Sequence, residues 1–154
     1  MKKKNILIVS CIVVIVAAGW IAWQKMASPT RIALYNFQPF QVSNISLSNS
    51  DKFIQFDEVA AEETGKLKNY DFVLGFGMGL KVSEEQRTQI QSAADKGTPI
   101  YMVAVTNPQN NICNLDSVDL ERISGYLNSG NKANYQNMAR YIRRHIDKKI
   151  LFAA

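Results

Sequence analysis

The sequence predicts an α/β fold, with an N-terminal membrane-spanning helix ahead of a small, mostly parallel sheet of about four strands flanked by helices. Three observations predict it. Between residues 31 and 147, short β-branched and aromatic runs alternate with helical patterns, the order expected when crossover helices join parallel strands. Two of those runs, Asp71-Phe-Val-Leu74 and Ile100-Tyr-Met-Val103, are nearly continuous in apolar residues, as in strands buried on both faces. Ahead of them all, Ile6 to Trp23 is an apolar stretch without a charge.

That stretch, as a helix, spans about 27 Å, close to the hydrocarbon thickness of a bilayer. Lys2, Lys3 and Lys4 precede it, and Trp20 and Trp23 stand at its far end, where aromatic belts form. A cleavable signal peptide fits less well. The apolar run continues past Val16-Ala17-Ala18, and Gln24-Lys25-Met26-Ala27 offers no small-x-small cleavage site. A lipid-modified Cys11 needs a longer apolar lead than Ile6 to Ser10. The expectation is therefore an uncleaved single-pass anchor in the cytoplasmic (inner) membrane. The lysines put its N-terminus inside and the domain on the periplasmic side.

The domain divides as an anchor over 1–26, a linker over 27–30 and an α/β unit over 31–149. Arg31 to Phe37 reads as the first strand, stopped by Pro39. Gln41 to Ser50, rich in Ser and Asn, reads as loop or a single helical turn. Lys52 to Val59 is the second strand, Ala60 to Lys68 a short helix, and Tyr70 to Phe76 the third strand. Ser83 and Gln86 form a capping box for the next helix, with Glu84 and Glu85 on its positive end and Lys96-Gly97 closing it. Pro99 to Val105 is the fourth strand, and a helix from near Asp116 ends at Asn128-Ser129-Gly130. Asn131 to Asp147 is the last helix, with Tyr135, Met138, Ile142 and Ile146 on its core face. The layers expected are flavodoxin- or Rossmann-like.

The net charge of +5 belongs mostly to the N-terminus. Without Lys2, Lys3 and Lys4, fifteen of the eighteen basic residues remain against thirteen acidic ones, so no clustered basic face for nucleic acid is expected. The basic run Arg143 to Lys149 reads as the solvated, electrostatically favourable end of a helix. Cys11 lies in the anchor and Cys113 is alone in the domain, so the fold must stand without a disulfide. With His145 as the one histidine, no metal site and no catalytic residue are expected.

Two loops follow predicted strands at the edge where open α/β sheets present ligands. Gly75-Phe76-Gly77-Met78-Gly79 stands between strand and helix, the context of a phosphate-binding turn. Its spacing departs from G-x-G-x-x-G, no Gly-Lys-Ser/Thr follows, and the helix begins only at Ser83. The expected role is a strand-to-helix turn in which glycines supply unusual backbone angles. The second loop, Thr106 to Asn111, is amide-rich. Gly75, Gly77, Gly79 and Asn107 are the candidate ligand-edge residues.

One segment, Leu120 to Ile142, resembles the N-terminal region of CobN-type cobaltochelatase and magnesium-chelatase large subunits. Tyr126, Gly130, Asn131, Asn134 and Asn137 match that family's pattern of a tyrosine-containing turn, a Gly/Asn junction and Asn-x-x-Asn. Tyr70 to Leu74 is similar to its strand before the first long helix, and Lys96 to Ile100 to its helix-to-strand step. The resemblance covers roughly Arg31 to Asp147. Family members are far longer, so it implies a chain cut off near residues 150–154. An anchor on such a body looks like the HmuS-like haem-utilisation branch, implicated in removing iron from haem. The resemblance implies a membrane-anchored, non-catalytic domain of a tetrapyrrole metal chelatase or haem dechelatase. The fragment itself would need no cofactor; the parent would handle a tetrapyrrole and a metal ion, and the partners would be the membrane and the remainder of that chain. The residues alone also fit a stand-alone membrane-tethered module for a small ligand.

Overall fold

The computed structural model describes residues 2–37, 51–77, 79–128 and 132–148. Helix α1 (Lys2–Ala27) leads through Ser28-Pro29 into strand β1 (Thr30–Tyr35). There follow β2 (Ile54–Val59), a 3-10 turn (Thr64–Asn69), β3 (Phe72–Phe76), α2 (Glu84–Asp95) and β4 (Ile100–Val103). A second 3-10 turn (Pro108–Asn110), α3 (Ser117–Asn128), α4 (Lys132–Tyr141) and a π turn (Ile142–Ile146) complete the order. The expected loop over Gln41 to Ser50, the helix ends at Ser129-Gly130 and Asn131, and residues 150–154 lie outside the described residues.

All four strands are parallel, in the order β2-β1-β3-β4. Strand β1 is therefore interior, and five of its six residues are buried. Alternate residues point to opposite faces of a strand, and the core accordingly splits in two. Ile32, Leu34, Phe72 and Leu74 pack with Ile123, Met138, Ile142 and Ile146 of the C-terminal helices. Ala33, Tyr35, Val73, Ile100 and Met102 pack with Leu67, Ile90, Ala93 and Ala94 on the other side. The sheet thus lies between two helical layers. On the outer side of β4, residues 112–114 return antiparallel: Met102 N–H donates to Ile112 O (3.3 Å) and Ile100 N–H to Asn114 Oδ1 (2.7 Å). That covers a strand edge that would otherwise offer unpaired backbone.

Three expectations change in detail. Residues 60–68 form no α-helix, only the 3-10 turn Thr64–Asn69. Gly65 weakens helix there, while buried Leu67 pins the turn to the sheet. The last helix is not uniform. Asp147 N–H donates to Ile142 O at 2.8 Å, an i+5 bond, so the final turn widens while Ile142 and Ile146 stay buried. Arg143, expected on the solvated face, is instead half-buried. Its Nη1 donates to Ser28 O (3.0 Å), Thr30 Oγ1 (2.9 Å) and Phe53 O (3.0 Å). Thr30 Oγ1 in turn donates to the buried Asp147 Oδ2 at 2.6 Å. The end of the last helix is therefore bonded to the start of β1.

Among the described residues no helix is long and apolar enough to cross a membrane. The side chains of Ile6 to Ser10, on which the expected span depends, lie outside those described. From Cys11 to Gln24 every residue of α1 except the half-buried Ala22 is exposed. Trp20 and Trp23 stack obliquely, 5.7 Å apart.

Candidate functional site

A parallel sheet presents ligands beyond the carboxyl ends of its strands, at the point where strand order reverses. Here that point lies between β1 and β3, whose successors β2 and β4 leave in opposite directions. The residues just past the strands have unusual backbones. Asn36 (φ 57°) follows β1, and Ala104 (φ 52°) follows β4. A non-glycine residue in the left-handed region is uncommon, although Asn tolerates it better than most. Asn36 Nδ2 donates to Phe76 O (2.7 Å) and its N–H to Val59 O (3.0 Å), so this one residue ties β1 to both neighbours. Phe37 and Phe76 meet above it with ring centroids 5.8 Å apart.

The four candidate residues occupy this edge in different ways. Gly75 is inside β3, paired with Tyr35 and Met102, and a Cβ on it would overlap the Met102 side chain. Gly77 donates its N–H to Val103 O (2.8 Å), and a Cβ there would stand 2.9 Å from Val105 Cα. Gly77 is thus required by the close approach of the Val105 backbone just past β4, and Gly75 makes room for the Met102 side chain of β4. Gly79 alone has the backbone angle expected of a turn glycine (φ 69°), with open space around it. Asn107 caps the short turn Pro108–Asn110, its side chain accepting from Gln109 N–H at 3.1 Å.

The phosphate-cradle geometry is not assembled around these glycines. Helix α2 begins at Glu84, and its capping box is complete. Ser83 Oγ accepts from Gln86 N–H (3.2 Å) and Gln86 Oε1 accepts from Ser83 N–H (2.8 Å). Glu84 and Glu85 already supply negative charge in that first turn.

Sequence reasoning missed Asn36 and Ala104, and placed Asn110 only within the amide-rich loop Thr106 to Asn111. Asn110 is 5% exposed and bridges the two candidate loops, its Nδ2 donating to Leu80 O at 3.3 Å. Among the described residues its Oδ1 is buried with no hydrogen-bond partner, an unusual state for a native amide. An asparagine directly after an interior strand was the readable signal for Asn36; nothing in the local pattern marks Ala104 or sets Asn110 apart from the other amides of its loop.

The chemistry of the edge is that of amides and rings. Burial, with Glu62 nearby, pushes the Tyr35 phenol up to about 12, and its hydroxyl donates to Ala61 O at 2.8 Å. It is therefore a neutral donor at physiological pH. Among the described residues no group of three His, Cys, Asp or Glu side chains is placed to hold a metal ion. No protein-family model matches the chain, and no curated protein or solved structure matches it either.

Proposed function

We propose that the chain is the membrane-anchored, non-catalytic N-terminal domain of a CobN-like tetrapyrrole metal chelatase or haem dechelatase. Ile6 to Trp23 would be its single-pass anchor in the cytoplasmic membrane, with the domain on the periplasmic side. Its layers would be flavodoxin-like, since β2-β1-β3-β4 is the order of the first four strands in that arrangement. The chelatase part rests on the resemblance over Leu120 to Ile142, and the observation that supports the tethered arrangement is the polarity of β1. The linker from α1 joins its amino end and is held there by Arg143, whereas Asn36 and the glycine turn lie at its opposite end. A tether at one edge leaves the ligand-presenting edge directed away from the attachment point. The exposed apolar side chains Ile12 to Val16, with Trp20, Ile21 and Trp23, support the anchor, because a contiguous apolar surface of that kind needs a cover. In this role the domain positions a larger chain at the membrane, and the tetrapyrrole and metal ion are substrates handled elsewhere in that chain.

The genomic reading frame beyond Ala154 is the direct test. A chelatase-like continuation is expected; a stop codon with no chelatase-like gene downstream refutes the proposal. A second reading, a stand-alone membrane-tethered module for a small ligand, is favoured by the orphaned Asn110 Oδ1 at the carboxyl edge. Titration of the detergent-solubilised chain with haem, cobalamin precursors and nucleotides separates the two. Saturable micromolar binding favours the module, and its absence favours the scaffold.

A further inference from the structure

We infer that the amino edge of the sheet is a docking surface for anionic lipid headgroups. The inference rests on the anchor reading above. Only Ser28 and Pro29 separate Ala27 of α1 from Thr30 of β1, which limits the gap to about 10 Å even for an extended chain. The linker is also held by hydrogen bonds: Ser28 N–H donates to Gln24 O (3.1 Å), Ser28 O accepts from Arg143, and Thr30 N–H beyond it donates to Phe53 O (2.8 Å). With α1 in a bilayer, the amino edge stays within about one Debye length of the headgroups.

Two clefts open on that edge. One, of about 360 Å³, is lined by Lys52 and Arg140 together with Asp51 and Phe53. The other, of about 150 Å³, is lined by Lys96 and Lys148 together with Asp71 and Asp147. All four cations are exposed. The three carboxylates are engaged with the protein's own donors. Asp51 accepts from Phe53 N–H (3.0 Å), Asp71 from Arg31 N–H (2.9 Å), and Asp147 from Thr30. Only a long 4.0 Å contact joins Arg140 to Asp51. The acids lining the two clefts are therefore engaged while Lys52, Lys96 and Arg140 are exposed; Lys148, also exposed, donates to Gly97 O (2.9 Å), and the exposed Asp95 beside Lys96 accepts from Gln91 (2.8 Å). The opposite edge leans the other way, with Glu62, Glu84 and Glu85 exposed near the strands' carboxyl ends against the exposed Lys81. This charge distribution pulls the amino edge down onto a negative surface and turns the carboxyl edge away from it.

The test uses the full chain in nanodiscs of phosphatidylcholine, with and without phosphatidylglycerol, and reads lysine acylation rates by mass spectrometry. Lys52, Lys96 and Lys148 are expected to react about five-fold more slowly in the anionic discs, the effect of a charged leaflet on one adjacent lysine. Lys81, near the other edge, is expected to keep its rate, and 0.5 M salt is expected to abolish the difference. Equal rates in both lipids, with the chain co-migrating with the discs, overturn the inference and leave the anchor standing. Equal protection in both lipids that grows with chain loading indicates contact between copies and also overturns it. A chain that does not co-migrate with either disc overturns the anchor, and the inference with it.

Discussion

Substituting Gly75 by Ala separates packing from ligand binding at the glycine turn. The added Cβ would overlap Met102 Sδ, stand 2.8 Å from its Cε and lie 3.4 Å from Tyr35 Cδ1. Ordinary carbon contacts lie at about 3.5–4.0 Å, so the Met102 side chain must move by more than an ångström. Met is adaptable, but Met102 is buried in the second core layer and has little room to retreat. The expected cost is about 2–3 kcal/mol, in the range for an overpacked core. Met102→Ala alone should cost about 2–5 kcal/mol through the cavity it leaves. In the double variant the new methyl occupies part of that cavity, so the two costs should fall short of additivity by at least about 1 kcal/mol. Urea unfolding, followed by near-ultraviolet circular dichroism of the tyrosines, supplies the four stabilities. Strict additivity, or a stable Gly75→Ala chain, would refute the packing argument and return Gly75 to the list of ligand candidates.

Three further outcomes follow from the same structure. Asn36→Ala should lose about 2–3 kcal/mol, since it removes the bond to Phe76 O and strains a left-handed residue, whereas Asn36→Gly should lose only about 1 kcal/mol; equal losses in urea titrations would rule out backbone strain. Arg143→Met should lower stability by about 2–4 kcal/mol with an unchanged denaturant slope, because it strips a charged donor from Ser28 O, Thr30 and Phe53 O. At high pH, Tyr35 (through burial) and Tyr141 (through its bond to Asp119) are both pushed up to about 12, above the value near 10 of an unfolded chain. The folded chain holds more protons in that window, so stability is full below about pH 10 and falls as pH rises toward 12. Burial also raises Tyr70 and Tyr101, and absorbance titration at about 295 nm should find Tyr35 and Tyr141 the latest to ionise, with one of that latest pair lost in Tyr141→Phe.

Much of the fold was readable because its signals are local. Ser83 and Gln86 sit at the spacing a capping box needs, and the structure forms both bonds. The strand cores at Phe72 to Phe76 and Ile100 to Val103 lie within the predicted strands, shortened at their ends. What escaped depended on partners distant in sequence. Arg143 is one position from Ile142 on a helix, so periodicity assigned it to solvent; the residues that draw it inward are Ser28, Thr30 and Phe53, about ninety residues or more away. Gly75 and Gly77 read as a flexible turn because glycine spacing carries no record of the neighbouring strand. The near approach of Met102 and Val105 gives them a packing role instead. Asn110 depends on a contact with Leu80 thirty positions earlier, which no window of the sequence displays.

The interior position of β1 bears on how the molecule carries load. Tension applied through the linker pulls on the amino end of a strand that is hydrogen-bonded on both sides, to β2 and to β3. Force along the strand axis strains both ladders in shear, so many bonds must give together, whereas a tether on an outer strand pulled across the sheet would let them open one by one. Arg143 and the Thr30–Asp147 bond add the turn after α4 to the same loaded junction. A domain loaded through this strand should stay folded under tension, and single-molecule pulling from its N-terminus should meet a higher rupture force than pulling from β2.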